Sequence, residues 1–270
     1  KLPNIFIFTA LECEAKGLIS QFNLKRDNCH IAFALYRSEN VILTVTGVGK
    51  IAMAGAVTYV LAQFQEQQAP VLLNLGIAGH ENHAIGDLFV AEKICDAESG
   101  KVYYPQLIGG NWPESKVVKT TTKPNTQYND DCLNDMEASA FYEMAVKFTS
   151  SELIHCLKIV SDNQNTSITH INPKLVVEWV SAHNVIIEQT LKQLTQLREM
   201  FVSVETPEYD RLIRQWHFTV SGKLKLKAML VQWRVLNTLE WSDSQSVVFR
   251  NGKDILRQLA KDIEQLEIKL

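Results

Sequence analysis

The chain has 270 residues, of which 46% are hydrophobic and 21% charged. This composition suits a globular protein with one full-sized core and a smaller appendage. A net charge of −3 and an isoelectric point near 6.2 exclude the basic surface by which proteins bind nucleic acid or anionic membranes. No stretch approaches the ~20 consecutive apolar residues of a membrane span.

The cysteines and the first residues indicate a cytoplasmic location. The five cysteines are odd in number and scattered, and none forms a C-x-x-C pair. Disulfide scaffolds and zinc ribbons use paired spacings, so we expect reduced thiols that act as small buried hydrophobes. The start of the sequence lacks the long apolar region and cleavage site of a signal peptide.

Strands and helices are predicted to alternate through residues 1–197. Apolar and β-branched runs predict strands at 4–10, 31–36, 40–49, 70–79, 86–95, 116–122 and 153–162. Helices are predicted at 12–22, 50–64, 135–148 and 173–197, with a polar loop at 123–132. This alternation predicts a three-layer α/β/α fold around a central mixed, mostly parallel sheet. Asp135 is predicted to cap the helix that follows it.

Residues 203–270 are predicted to form a separate, small helical extension whose role is not evident. Pro207, Gly222 and Gly252 punctuate segments of helical period, the last of them at 254–270. The basic segment 222–233 suits either a helix-turn-helix or a solvated helix face. The balanced charge of the extension favours the solvated face, so no nucleic-acid partner is expected.

In α/β folds, ligands bind beyond the carboxyl ends of the strands. Here those ends read TALECE, TGVGK, LGIAGH and VSDNQN. TGVGK lacks the spacing of a phosphate-binding loop, so by itself it predicts only a strand-to-helix turn. His80 and His83 form an H-x-x-H pair without further ligands nearby in the sequence, which predicts loop histidines and no metal site. No cofactor is predicted.

Six short motifs follow one another at the predicted strand and helix edges. They are ALECE at 10–14, TGVGK at 46–50, NLGIAGH at 74–80, IGDLFV at 85–90, DMEASA at 135–140 and VSD at 160–162. In this order they resemble A-M-E-x-E, S-G-I-G-K, N-T-G-S-A-G-G, V-G-D-I-V-V, E-M-E-A-x-A and I-S-D of the nucleoside phosphorylase and nucleosidase superfamily. The closest resemblance is to methylthioadenosine/S-adenosylhomocysteine nucleosidases and related hydrolases, and it covers about residues 1–195.

The resemblance implies hydrolysis of the N-glycosidic bond of a purine nucleoside. It implies that Glu14 activates water and that Asp162, oriented by Ser161, protonates the base at N7. It also implies that Glu137 accepts hydrogen bonds from the ribose 2′ and 3′ hydroxyls, and that Met136 packs against the sugar. A small-molecule nucleoside is therefore the expected partner.

The same resemblance implies that Ile77, Ala78 and Gly79 line the substrate pocket. It further implies a homodimer or larger homo-oligomer. The apolar helix predicted at 50–64 suits either an interface or the monomer core equally well.

A phosphate-dependent phosphorylase is one alternative. Phosphorylases bind phosphate with arginines, but the arginines before residue 198 are Arg26 and Arg37, and both lie outside the motifs. Gly86 stands where the hexameric phosphorylases carry a phosphate-binding arginine. The sequence therefore favours water as the nucleophile.

A catalytically inactive protein that binds a nucleoside or a partner is the other alternative. The segment between Asp87 and Glu137 is shorter than in the family, where it supplies a helix and an aromatic residue that stacks on the base. Four aromatic residues are candidates to replace that group: Tyr103, Tyr104, Trp112 and Tyr128.

Overall fold

The computed structural model describes residues 3–29, 32–64, 69–125, 127–128, 130–203, 206–237, 239–242 and 249–267. The chain divides into two compact units, Lys1–Arg198 (unit 1) and Glu199–Leu270 (unit 2). Within the described ranges, no helix combines the length and the apolar character needed to cross a membrane.

The strands of unit 1 are β1 (Ile5–Thr9), β2 (Lys25–Asp27), β3 (Ala34–Arg37), β4 (Val41–Val45), β5 (Val71–Gly79), β6 (Leu88–Asp96), β7 (Val102–Tyr103), β8 (Ser115–Thr120), β9 (Leu133–Asp135) and β10 (Ile154–Asp162). The helices that begin in unit 1 are α1 (Glu12–Gln21), α2 (Lys50–Gln63), α3 (Ala138–Ala145), α4 (Pro173–Ala182) and α5 (Asn184–Ser203). Single 3₁₀ turns lie at Ser151–Leu153 and Ile168–His170.

The strands form one mixed sheet in the order β10-β6-β8-β9-β5-β1-β4-β3-β2, with β7 beside β6. Strand β10 also pairs with β5, so β5, β10, β6, β8 and β9 close into a ring. Among the described strands, five pairings are parallel and five antiparallel. The prediction of a mixed sheet is confirmed, but the sheet is not mostly parallel. Short connections make β2, β3 and β4 an antiparallel run, and β6 runs against β10.

The central strands are buried and place their carboxyl ends at one edge. Strand β5 pairs in parallel with β1 and β10, and β1 pairs in parallel with β4. Every residue of β1, β4 and β10 is buried, as their apolar runs predict for strands covered on both faces. Helix α1 packs on α4, and α2 packs on α3.

Several predicted element boundaries are shifted, and three of the shifts have a local cause. The helix predicted at 173–197 is two helices, broken at His183, whose Nε2 lies 2.6 Å from the carbonyl oxygen of Gly86. Helix α3 begins at Ala138, because residues 133–135 pair as β9. Strand β4 ends before Gly47, which has a φ of +85° that a strand does not allow. Residue 31 of a predicted strand and residues 268–270 of the predicted last helix lie outside the described residues.

The described residues of unit 2 form three helices after α5, namely α6 (Pro207–Gln215), α7 (Val220–Leu236) and α8 (Gly252–Glu267). The apolar faces of these helices share a core with three residues from the connections between them, Phe218, Trp241 and Phe249. The helical members of this core are Leu212, Leu226, Met229, Leu230, Ile255, Leu259 and Ile263. Glu208 is buried in this unit, and its carboxylate lies 3.3 Å from Arg234 Nη2.

Candidate active site

A cavity of about 130 Å³ lies at the carboxyl ends of β1, β5 and β10. All eight residues predicted for the site line it: Glu14, Ile77, Ala78, Gly79, Met136, Glu137, Ser161 and Asp162. They come from four separate segments of the sequence, and the sheet topology brings them to one place.

Glu14 is held at the cavity by backbone amides. It lies in the first turn of α1, and its Oε2 accepts hydrogen bonds from the amides of Ala10 and Leu11, each at 2.8 Å. Its Oε1 accepts from the amide of Ile77 at 2.9 Å. The side chain is only 2% exposed. Burial raises the pKa of Glu14, and the three amides oppose that rise.

Gly76 and Gly79 let the carboxylates approach β5. A methyl group at Gly76 would lie 3.0 Å from Glu14 Oε1. At Gly79 it would lie 2.6 Å from Asp162 Oδ2, closer than van der Waals contact permits. These two glycines therefore make room for the acids on either side of the strand.

A buried ion pair between Lys158 and Asp135 lies next to the acids of the cavity. Lys158 Nζ lies 2.7 Å from Asp135 Oδ2 and donates to Asn74 Oδ1 at 2.8 Å. Burial alone would lower the pKa of Lys158, but the adjacent Asp135 carboxylate raises it above its usual range. Lys158 therefore stays charged among the buried acids. Asp135 also accepts from the Thr120 hydroxyl at 2.6 Å.

Asp135 is not the N-cap residue that the sequence predicts, because α3 begins later and its N-cap is Glu137; the Asp135 carboxylate still accepts from amides at the start of the helix. Its Oδ2 accepts from the amides of Glu137 at 3.2 Å and Ala138 at 2.7 Å. The sequence prediction missed its pairing with Lys158. A signal was present, because a lysine within the apolar run LIHCLKIV must either leave the core or find a carboxylate there.

Glu137 projects into the cavity from the turn before α3. Its Oε1 accepts a hydrogen bond from the amide of Gly49 at 2.6 Å. Among the described residues, its Oε2 has no hydrogen-bond partner. Burial, with the nearby Asp135 charge, raises the pKa of Glu137 to about 7. The TGVGK turn thus contributes an amide that positions a carboxylate.

A β-bulge brings Ser161 and Asp162 to the same cavity. Adjacent strand residues normally point to opposite faces, but the register of β10 on β5 shifts between Val160 and Asp162. Such a bulge re-aims side chains. Ser161 Oγ then donates to Asp162 Oδ1 at 2.6 Å.

Tyr128 makes a hydrogen bond to the other carboxylate oxygen of Asp162. Its phenol hydroxyl donates to Asp162 Oδ2, and the side chain is buried. Burial and the Asp162 carboxylate raise the pKa of Tyr128, so it stays a neutral donor. None of the four candidate aromatics lines the cavity itself. Tyr128 reaches it only through Asp162, whereas Tyr103 bonds Glu143, Tyr104 is exposed, and Trp112 packs on His155.

His80, His83 and Asp131 lie close enough to hold a metal ion. The hydrogen bonds of His80 oppose this, because its Nδ1 accepts from the amides of Asn82 at 3.1 Å and His83 at 3.2 Å. In the neutral ring Nε2 must then carry the proton, and this nitrogen lies 3.1 Å from Asp131 Oδ1. A metal would need a lone pair on that nitrogen, so the residues present do not fit one.

The two arginines named by the sequence lie away from the cavity lining. Arg26 donates to the hydroxyl of Tyr36, and Arg37 pairs with Asp27. All five cysteines are free thiols, but the expectation that they are buried is wrong for four of them, since only Cys156 is buried and Cys29 is exposed. A wider surface groove of about 650 Å³ lies between the first turns of α1 and α4, and none of the eight predicted residues lines it.

The sequence matches no known family profile and no curated protein, whereas solved structures share its fold. The methylthioadenosine/S-adenosylhomocysteine nucleosidase from Helicobacter pylori has a TM-score of 0.57 at 13% identity, over 71% of this chain and 99% of that one. The futalosine hydrolase of Helicobacter pylori strain 26695 has a TM-score of 0.57 at 13% identity, over 71% and 98%.

A third solved structure, the nucleosidase from Colwellia psychrerythraea 34H in complex with adenine, has a TM-score of 0.55 at 16% identity, over 73% and 96%. These likenesses confirm the predicted resemblance at the level of the fold. Identities this low show the fold alone.

Proposed function

We propose that unit 1 hydrolyses the N-glycosidic bond of a purine nucleoside. The observation that carries the proposal is the convergence of Glu14, Glu137 and Asp162 on one cavity. Such a reaction needs a base for water, an acid for the leaving group and a holder for the sugar. The fold likeness to nucleosidases supports the same reaction class.

Glu14 is the proposed base. A carboxylate offers about four lone-pair positions, and backbone amides use three of those on Glu14. One position remains to take a proton from water. The water oxygen then forms a bond to the anomeric carbon, while the electron pair of the breaking glycosidic bond moves to the purine leaving group.

Asp162 is the proposed acid, and Glu137 the proposed sugar ligand. Asp162 first takes up a proton from solvent when the Tyr128 phenol leaves it, and then gives that proton to the departing nucleobase, with Ser161 fixing the carboxyl orientation. Glu137 keeps Oε2 for the ribose diol, since Gly49 engages only Oε1. Leu11, Val48, Ile168 and Ile171 give the cavity apolar walls, which suits an uncharged 5′ substituent such as methylthio.

Release of free base in phosphate-free buffer tests the proposal. Methylthioadenosine, adenosylhomocysteine, futalosine and adenosine are incubated with the protein, and the base is quantified by chromatography. Asp162→Asn should abolish release, because Asn has no proton of suitable acidity to donate. Its fold should survive, since the Ser161 and Tyr128 hydroxyls can each turn to donate or accept. Asp131→Asn, an exposed acid outside the cavity lining, is the matched control.

A nucleoside-binding protein without turnover is the second candidate, and the bond from Tyr128 to Asp162 favours it. In that case no substrate in the panel yields base, yet a nucleoside raises the melting temperature. A phosphorylase is disfavoured by the positions of Arg26 and Arg37. Base release that requires phosphate would contradict the hydrolase proposal.

We also propose that the protein forms a homodimer or a larger homo-oligomer through the start of α2. Ile51 is 91% exposed there and Val48 is 52% exposed, and an apolar surface of this kind favours contact with another chain. Sedimentation of the wild type and of Ile51→Lys compares the two oligomeric states, and a wild-type monomer contradicts the proposal.

A further inference from the structure

Tyr128 stands where a leaving base must bind if the proposed function holds. Its hydroxyl donates to Asp162 Oδ2. Its Cε1 lies 3.0 Å from the point that a Cβ at Gly79 would occupy, so the ring edge rests against β5. The side chain is only 6% exposed. A bound nucleobase would place the same features there, namely an aromatic ring whose polar edge makes a hydrogen bond to Asp162.

The backbone of Tyr128 is held in a strained conformation. Its φ is +43°, a left-handed value that is unfavourable for an aromatic residue. Gln164 Nε2 donates to the Tyr128 carbonyl at 3.2 Å and to Glu81 Oε1 at 3.1 Å. Contacts on both the backbone and the side chain therefore keep the ring on Asp162.

The size of the cavity agrees with an occupied base position. Sites for ligands of this kind usually measure about 300–1,000 Å³, whereas the space beside Glu137 and Asp162 measures about 130 Å³. The open volume is therefore smaller than a nucleoside site, and the buried Tyr128 phenol, which bonds the cavity-lining Asp162, fills the space next to it.

We propose that Tyr128 is the specificity-determining residue of the base position, which a ligand enters by replacing the phenol on Asp162. This inference rests on the proposed function. A ligand must then supply a planar ring and its own hydrogen bond to Asp162, because a group without that bond leaves a buried carboxylate unpaired. Such a site selects planar bases with a polar edge and rejects purely apolar rings.

Calorimetric titration with adenine tests the inference without requiring turnover. Tyr128→Phe keeps the ring and removes the bond that adenine must replace. A hydrogen bond to a charged group predicts adenine affinity roughly ten- to hundredfold tighter than wild type. Tyr128→Ala also removes the ring and should tighten binding further. Tyr103→Phe is the matched control, since its hydroxyl donates to another carboxylate, Glu143, outside the cavity, and it should bind adenine like wild type.

Unchanged or weaker adenine binding in Tyr128→Phe overturns the inference, as does Tyr128→Ala binding no better than wild type. If methylthioadenosine is hydrolysed, Tyr128→Phe should lower KM without lowering kcat. A fall in kcat at constant KM would instead make Tyr128 a positioning residue for Asp162. Melting curves confirm that each variant folds.

The inference and the proposed function fail separately. If Tyr128→Ala binds adenine but no variant releases base from any nucleoside, the inference stands and the hydrolase proposal fails. If wild type releases base but Tyr128→Ala gains no affinity for adenine, the hydrolase proposal stands and the inference fails.

Discussion

Replacing Glu137 by glutamine should stabilise the protein at neutral and alkaline pH, although Glu137 is a predicted site residue. Burial is the main cause of its raised pKa, about 7 in place of the usual 4.5. A raised folded-state pKa of a carboxyl group stabilises the fold fully below pH 4.5, and this stabilisation is lost as the pH rises through about 7. Glutamine is uncharged, and its Oε1 can still accept from the amide of Gly49.

The magnitude follows from the two pKa values. Each tenfold difference in proton affinity is worth ~1.4 kcal/mol, so the shift of Glu137 corresponds to a total of ~3 kcal/mol. Between pH 5 and pH 8 the free energy of unfolding of the wild type should fall by ~2.5 kcal/mol through this group. The advantage of Glu137→Gln should grow by the same amount, or ~5–10 °C in melting temperature for a unit of this size.

Thermal unfolding of both proteins at pH 5, 6, 7 and 8 measures this difference. Glu143→Gln is the matched control, because the hydrogen bond from Lys101 lowers the pKa of Glu143 and keeps it ionised across this range. Its difference from wild type should therefore not change with pH. A difference between Glu137→Gln and wild type that is equal at pH 5 and pH 8 would refute the reasoning, since an ionised Glu137 would then cost the fold nothing.

Three further substitutions test the geometry around the cavity. Lys158→Met leaves the Asp135 carboxylate buried without its cation, so urea unfolding should show a loss of ~3–5 kcal/mol, partly recovered by adding Asp135→Asn; full stability in the single variant contradicts the buried pair. Gly79→Ala puts a methyl group against Asp162 and should abolish adenine binding in calorimetry. A Gly79→Ala variant that binds adenine as tightly as wild type would contradict this prediction. Glu14→Gln turns an amide NH₂ toward a backbone donor, so unfolding should show a loss of ~1–3 kcal/mol, and an unchanged midpoint counts against the three-amide cradle.

The edge of the sheet that carries the three acids could be located from the sequence, because local patterns mark where strands end. Each acid there follows a strong apolar strand or opens a helix, and parallel strands bring their carboxyl ends to one edge. Local pattern alone does not single out Glu14 and Asp162, which suit a surface acid and a turn cap equally well. The resemblance to nucleosidases implies that they meet, and both line the cavity. The same resemblance implies that Gly79 lines the pocket, and the lack of a side chain there permits the close approach of Asp162.

The closed ring of strands could not be predicted in the same way. Strand β9 has only three residues, and its pairing with β5 joins Gly79 to Asn134, far apart in the sequence. A segment this short has no readable period. The sequence therefore suggested a helix beginning at Asp135, and the strand that ends there was missed.

Tyr128 shows why the base side escaped prediction. It lies in a polar loop, and its left-handed backbone is set by Gln164, thirty-six residues later in the chain. No local pattern distinguishes it from Tyr103 or Tyr104. The shortened segment before Glu137 and the phenol on Asp162 have one physical explanation: a loop too short to surround a base can still place an aromatic ring against the acid. Any base that binds must then compete with Tyr128, so its affinity reflects the difference between two hydrogen bonds to Asp162, not the strength of one.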